Sequence, residues 1–270
     1  MTRPRTGFAF LDDGLDQPGA VLAFAHRGGA FHPEVEGLEN SLAAFTHAVA
    51  LGYRYLETDV HATRDGVLLA FHDRVLDRVT ESIGRLSDLS YDDVRSARIG
   101  GREEIPTLAS LFEVFPDARF NIDLKSDGAV DPLVDLIRLT HAHDRVCVAS
   151  FSDRRIRAFR RRMDREVATA CAVGVVVGTR LAPTRGLADM LRGTGHAFQV
   201  PHHRGSFRVV TEELVHRAHG VGRPVHVWTV DAADEMHSLL DLGVDGLMTD
   251  RTDVLRDVLL ARGQWMGEAS

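Results

Sequence analysis

One alternation constrains the fold of this chain more than any other feature. A short apolar or β-branched run is followed by a longer stretch with helical period, and the pattern recurs along nearly the whole length. The strand-like runs are VLAFAH (21–26), YLETDV (55–60), ARFNIDLK (118–125), RVCVASF (145–151), EVATACAV (166–173), HAFQVP (196–201), PVHVWTV (224–230) and GLMTD (246–250). Helical period marks 41–52, 108–115, 131–142, 153–163, 211–222, 232–243 and 253–263. Parallel neighbouring strands need helical crossovers, so this order predicts an α/β protein, a (β/α)8 TIM barrel. A doubly wound open sheet is the other architecture it admits, but no GxGxxG or P-loop follows the first strand. Ser41 and Thr211 are placed to cap their helices, with Pro132 in the first turn of another. Gly52, Gly220 and Gly243 are placed to close theirs.

One stretch breaks the repeat. VLLAFHD (67–73) reads as an extra hairpin strand, and about 74–105 as a polar insertion on the active face, with one short helix at 90–98. Residues 1 to about 18 read as an irregular lead-in, and 1–270 as a single domain.

A formal net charge of -7 argues against a general nucleic-acid binder. The exception is the run Arg154, Arg155, Arg157, Arg160, Arg161, Arg162 and Arg165, which reads as the solvated face of a helix. No apolar run is long enough for a transmembrane segment, and the first residues lack a signal-peptide core, so a soluble cytoplasmic protein is expected. Cys147 and Cys171 sit in apolar runs and read as reduced core residues, with a disulfide between them left open.

The chemistry gathers between His26 and Asp73, with a second contribution from NIDLK. Glu57 and Asp59 are two apart on a strand and project from one face. Side by side they repel, and a cation resolves the repulsion. Oxygen-only ligands suit a hard ion such as Mg2+ or Ca2+. Asp123 and Lys125 repeat the spacing on the next strand: Asp123 could complete a three-carboxylate metal set, and Lys125 could hold an anionic group beside it. A structural Asp–Lys ion pair is the plain alternative. His26 and His72 each end an apolar run and could share acid and base roles. Arg27 offers a planar fork for a phosphate, and Gly28 and Gly29 would let backbone approach a ligand. Glu39 and Asn40 precede the helix start, where Glu39 could orient His26 or Arg27. His61 shares the face of Glu57 and Asp59, with packing as its alternative role. Trp228 could wall a substrate; Gln199 and His202 are weaker candidates. Among fourteen histidines, His47, His141, His143, His216, His219 and His237 read as helix-surface residues.

Together these motifs resemble the glycerophosphodiester phosphodiesterase family. The blocks are HRG at 26–28, ENS at 39–41, ETDVHATRDG at 57–66, HD at 72–73, NIDLK at 121–125, VWTVD at 227–231 and GVDGLMTD at 243–250, in the family's order. The resemblance implies a barrel with a small insertion after the second strand. It also implies metal-dependent hydrolysis of glycerophosphodiesters, small-molecule substrates, to glycerol 3-phosphate and an alcohol. Carried over, the metal ligands are Glu57, Asp59 and Asp123, the acid/base pair His26 and His72, and the phosphate holders Arg27 and Lys125. The family often has Glu where this chain has the shorter Asp123, which bears on the choice of metal. Rival expectations are a lysophospholipase D-like or sphingomyelinase-like phosphodiesterase, and a non-catalytic barrel that binds phosphorylated ligands.

Overall fold

The computed structural model describes residues 3–181 and 195–267. Eight parallel strands carry it: β1 (Leu22–His26), β2 (Tyr55–Ala62), β3 (Arg119–Leu124), β4 (Val146–Ala149), β5 (Ala168–Thr169), β6 (Phe198–Pro201), β7 (Val225–Trp228) and β8 (Gly246–Thr249). They follow one another in the order β5-β4-β3-β2-β1-β8-β7-β6. The two ends of that sheet meet through a parallel bridge, Ala170 with Ala197, held by Cys171 N donating to Ala197 O at 2.8 Å. Closure removes the exposed edges that an open sheet would leave.

Strand alternation sorts the side chains. Ala23, Ala25, Leu56, Phe120, Ile122, Val148, Val200, Val227 and Leu247 face outward and pack with Phe45, Leu111, Leu133, Phe159, Leu214, Leu239 and Leu255 of the surrounding helices. Leu22, Phe24, Tyr55, Cys147, Ala168 and Met248 face inward and form a separate cluster. Gly246 belongs to that inner layer for a steric reason: a Cβ there would lie 2.9 Å from both His226 and Phe24. Both cysteines are free and buried.

The amino-terminal stretch is more than a lead-in. Ala9–Asp12 forms a short helix whose Phe10 and Leu11 are fully buried in the inner cluster. Tyr55 OH donates to Phe10 O at 2.8 Å, and Phe10 meets the Tyr55 ring edge-on at 5.1 Å. Since Leu22 and Tyr55 open their strands, this helix covers the N-terminal end of the barrel, a tertiary role that AFLD alone does not announce.

Other expectations are met or revised locally. Ser41 Oγ accepts from Ala44 N and Thr211 Oγ1 from Leu214 N, both as helix caps. Gly52 (φ 93°) and Gly243 (φ 84°) take the left-handed conformation after their helices, whereas Gly220 is still helical and Gly222 (φ 74°) does so instead. The run 166–173 is strand only at Ala168–Thr169, and Val173–Leu181 is a helix that its β-branched composition conceals. In the helix Asp153–Arg162, Ile156 and Phe159 are buried, while Arg154 and Arg155 pair with Asp127 and Arg162 with Asp131. His143 is buried rather than on a helix surface, and the half-buried His219 turns its ring inward, its Nε2 meeting Asp245 Oδ2 at 2.7 Å.

The insertion carries its own core. Leu68–Ala70 pairs antiparallel with β2, and Leu69, Phe71, Leu76, Leu86, Val94, Ala97, Ile99 and Ile105 form a satellite cluster beneath the loops. Its helix is shorter than 90–98, running Tyr91–Val94 behind a Ser90–Asp93 capping box. No helix among the described residues is long and apolar enough to cross a membrane.

His226, on the inner face of β7, is fully buried, and burial with nearby Arg3 pushes its pKa down to about 3. The unfolded chain, with an ordinary imidazole, takes up that proton first, so stability falls as pH drops from about 6.5 towards 3, by at most about 1.4 kcal/mol per pH unit. Urea unfolding between pH about 6.5 and about 4.5 should show a steeper loss for the wild type than for His226→Leu. Parallel slopes would exclude a buried neutral imidazole.

Candidate active site

His26, Arg27, Glu39, Asn40, Glu57, Asp59, His61, His72, Asp123 and Lys125 come together at the C-terminal ends of β1, β2 and β3 and in the loops that follow, whereas Gln199 lies on β6, His202 just after it, and Trp228 at the end of β7. Register places His26 opposite Glu57 and Asp59 opposite Asp123. Lys125 follows β3 directly, its N–H donating to Val60 O at 3.1 Å. After β1 the chain turns sharply through Arg27 (φ 50°), Gly28 (φ 85°) and Gly29 (φ 88°). A Cβ at Gly28 would fall 2.7 Å from Ala44, and one at Gly29 2.6 Å from Thr252. Packing against two helix starts therefore requires these glycines.

The carboxylates sit in a lattice of opposite charge. Lys125 Nζ donates to Asp59 Oδ1 at 2.9 Å and to Asp123 Oδ2 at 2.7 Å. Arg27 Nε lies 3.0 Å from Asp59 Oδ2, and its Nη1 is 3.3 Å from Glu39 Oε1. Asn40 Nδ2 donates to Asp59 Oδ2, and the Asn40 amide is oriented by Thr58 Oγ1 donating to its oxygen at 2.8 Å. Burial alone would raise the pKa of Asp59, but Lys125 and Arg27 outweigh it and bring it down to about 2. Glu57, two residues earlier, is pushed up to about 7 by burial and by Asp59. Burial likewise raises the pKa of Asp123, whose Oδ1 is enclosed without a hydrogen-bond partner.

Each histidine of the expected pair is held by its own carboxylate. His26 Nδ1 donates to Asp250 Oδ1 at 2.8 Å, and its Nε2 lies 3.8 Å from Glu57 Oε2. Burial disfavours a charged His26, yet Glu57 and Asp250 prevail and its pKa is raised. His72 Nδ1 donates to Asp73 Oδ1 at 2.6 Å. His61 is pushed down to about 4 by burial, so it is neutral near pH 7, and its Nε2 donates to His72 O at 3.1 Å. It holds the backbone of His72 rather than facing a reactant alone.

His61, His72, Asp73, Asp123, Lys125 and Phe151 line a cleft of about 490 Å3, with Arg74, Val75, Leu124 and Arg155 beside them; His26, Glu57 and Asp59 lie outside that lining. Trp228 packs edge-on against Phe151 at 5.7 Å, and Lys125 Nζ lies 5.6 Å over the Phe151 ring. Gln199 is deeper in the barrel, donating to Asn121 Oδ1 at 2.7 Å. Asp250, Asp73, Arg78 and Phe151 are members that sequence reasoning did not assign. The acidic end of β8 was a signal for Asp250; nothing local marks Arg78.

Glu57, Asp59 and Asp123 suit a hard divalent ion by donor chemistry: three buried carboxylates face two cations, and one carboxylate oxygen has no partner. With the side chains as they stand, Lys125 occupies the space between Asp59 and Asp123. Among the described residues, the three donors within 4.8 Å of one another are those of His202, His203 and Glu235 instead.

The glycerophosphoryl diester phosphodiesterase family profile matches residues 26–254. A protein of Mycobacterium tuberculosis named probable glycerophosphodiester phosphodiesterase 2 is 43% identical over 253 residues, covering 92% of this chain and 94% of that one. The chain belongs to this family. A putative glycerophosphoryl diester phosphodiesterase from Silicibacter pomeroyi shares the fold with a TM-score of 0.79 at 22% identity, covering 95% of this chain and 99% of that one. An Oleispira antarctica phosphodiesterase, solved in complex with the product sn-glycerol-3-phosphate, has a TM-score of 0.74 at 20% identity, covering 88% and 96%.

In this member of the family, Arg78 of the insertion ties the two sides of the site together. Its Nη1 and Nη2 grip Glu39 at 2.8 and 2.6 Å, and its Nε donates to Asp73 Oδ2 at 2.6 Å. Glu39 in turn pairs with Arg27, and Asp73 with His72. Replacing Arg78 by Ala should lower turnover of a phosphodiester about 10-fold or more, as loss of an orienting partner does, while Arg78→Lys should restore only part because it lacks the fork. Steady-state kinetics of the two variants check this.

Proposed function

We propose that the chain hydrolyses glycerophosphodiesters to glycerol 3-phosphate and an alcohol, with Glu57, Asp59 and Asp123 holding a divalent cation and His26 and His72 handling protons. The observation that carries the reading is the pairing of each imidazole Nδ1 with a carboxylate, beside a buried carboxylate cluster, in a member of this family. A bound hard ion, Mg2+ or Ca2+, supplies Lewis-acid chemistry at a phosphate oxygen. Arg27 and Lys125 stand beside the carboxylates, where they orient the phosphodiester and offset charge that grows on its oxygens. Asp250 and Asp73 commit Nδ1 of His26 and His72, leaving Nε2 of each for proton transfer. One takes the proton of the attacking hydroxyl, the substrate's own glycerol hydroxyl, and the other protonates the leaving alkoxide; the cyclic phosphate so formed is then opened by water to glycerol 3-phosphate. Phe151, 66% exposed, gives the cleft an apolar wall, which makes a lysophospholipid the alternative substrate worth testing beside the short diesters.

Release of glycerol 3-phosphate from glycerophosphocholine and glycerophosphoethanolamine, and of choline from lysophosphatidylcholine, should be measured after EDTA treatment and again with Mg2+, Ca2+ or Mn2+ restored. Release from the short diesters is expected only with metal, and His26→Ala and His72→Ala should each lose about 10²–10⁴-fold in turnover. Full activity in both variants removes the histidine roles. A folded protein silent with every metal and substrate returns the reading to a phosphate-binding barrel. Asp123→Asn should abolish metal rescue, whereas Asp123→Glu, one methylene longer, should keep activity and reorder the preference among the three ions. Rescue profiles of the two variants test the ligand role.

A further inference from the structure

The last residue of β6 is Pro201, and His202 and His203 follow at once. His203–Arg204 pairs antiparallel with Phe207–Arg208, so the two histidines sit on a hydrogen-bonded ribbon. Glu235 comes from another element, the first turn of the helix Ala233–Asp241, and accepts a hydrogen bond from His202 Nδ1. The His202 and His203 rings lie 3.8 Å apart, centroid to centroid, and the three residues bring one donor atom each within 4.8 Å of one another.

A His202–Glu235 ion pair would explain part of this, but it leaves two facts over. His202 Nε2 is buried without a hydrogen-bond partner, which carries a desolvation cost. The second imidazole also lies close against the first, tilted by 51°, although its neighbours leave it exposed to solvent. Two imidazole nitrogens and one carboxylate oxygen are a donor set for a borderline ion, unlike the all-oxygen set of the cleft. We propose that His202, His203 and Glu235 form a binding site for a transition-metal ion of the Zn2+ class, separate from the carboxylate site. Tetrahedral bonds of about 2.0–2.1 Å set donors about 3.3 Å apart, so the His202–Glu235 contact must open to admit the ion while His203 draws in. The exposed His203 and half-buried Glu235 have the freedom to do so. Three protein ligands leave a fourth position for water.

The test is a Zn2+ titration of tag-free, EDTA-stripped protein against a chromophoric chelator, with excess Mg2+ present throughout. The wild type should hold one Zn2+, and His203→Ala and Glu235→Gln should each weaken it at least about 100-fold. Because His203 is exposed, His203→Ala should fold normally and decide the matter even if a change at His202 does not. Zinc affinity equal in wild type and His203→Ala overturns the site, as does no zinc bound by the wild type. Metal-supported diester hydrolysis should be unchanged in His203→Ala; a parallel loss of turnover would overturn the separation of the two sites. The zinc readout does not depend on the diesterase assay, so either reading can fail alone.

Discussion

Three carboxylates buried at one end of a packed barrel are the condition around which this site is arranged. Each ion removed from water costs several kcal/mol unless compensated, so Glu57, Asp59 and Asp123 cannot stand there without partners. Lys125 and Arg27 supply two of them, and both lean on Asp59. The outcome is uneven. Asp59 is held at about 2 while Glu57, on the same strand face, rises to about 7. The carboxylate that has gathered the cations is firmly ionised, and the one left with less compensation carries the repulsion. The same uneven distribution leaves Asp123 with one oxygen unserved. A cluster so constituted has a standing affinity for a further positive charge.

Much of this was legible in the sequence because it is local. Period-two spacing puts Glu57, Asp59 and His61 on one face, and Asp123 and Lys125 on the next strand, whatever the tertiary fold. The alternation of runs implies the barrel, and the barrel brings strand ends together. What remained hidden depends on contacts between distant parts of the chain. Asp250 meets His26 only because β8 lies beside β1. Arg78 reaches Glu39 across 39 residues of sequence from inside a segment that reads as polar excursion. The helix Val173–Leu181 was masked by valines that favour strands in isolation, and the amino-terminal helix is too short to show a period. His143 was misplaced for the same reason: a helical pattern gives the face, but not which neighbour covers it.

The chain also separates donor chemistries by strand. The carboxylates on β2 and β3 are hard oxygen donors, while the imidazoles after β6 are borderline. Both groups lie at C-terminal strand ends, the face where barrel loops converge. One scaffold thereby presents two donor sets that compete little for the same ion.

His26 and His72 differ in what holds them. His26 ends a barrel strand and is tied to β8, so its place is fixed by the sheet. His72 stands at the joint between the barrel and an insertion with its own core, and its partner Asp73 is gripped from within that insertion by Arg78. The gap between the imidazoles is therefore a mechanical coordinate, set by how one small packed body is seated on a larger one. A substitution in the satellite core, at Leu76 or Ile99 for instance, acts on that coordinate through leverage without altering any group that bears charge.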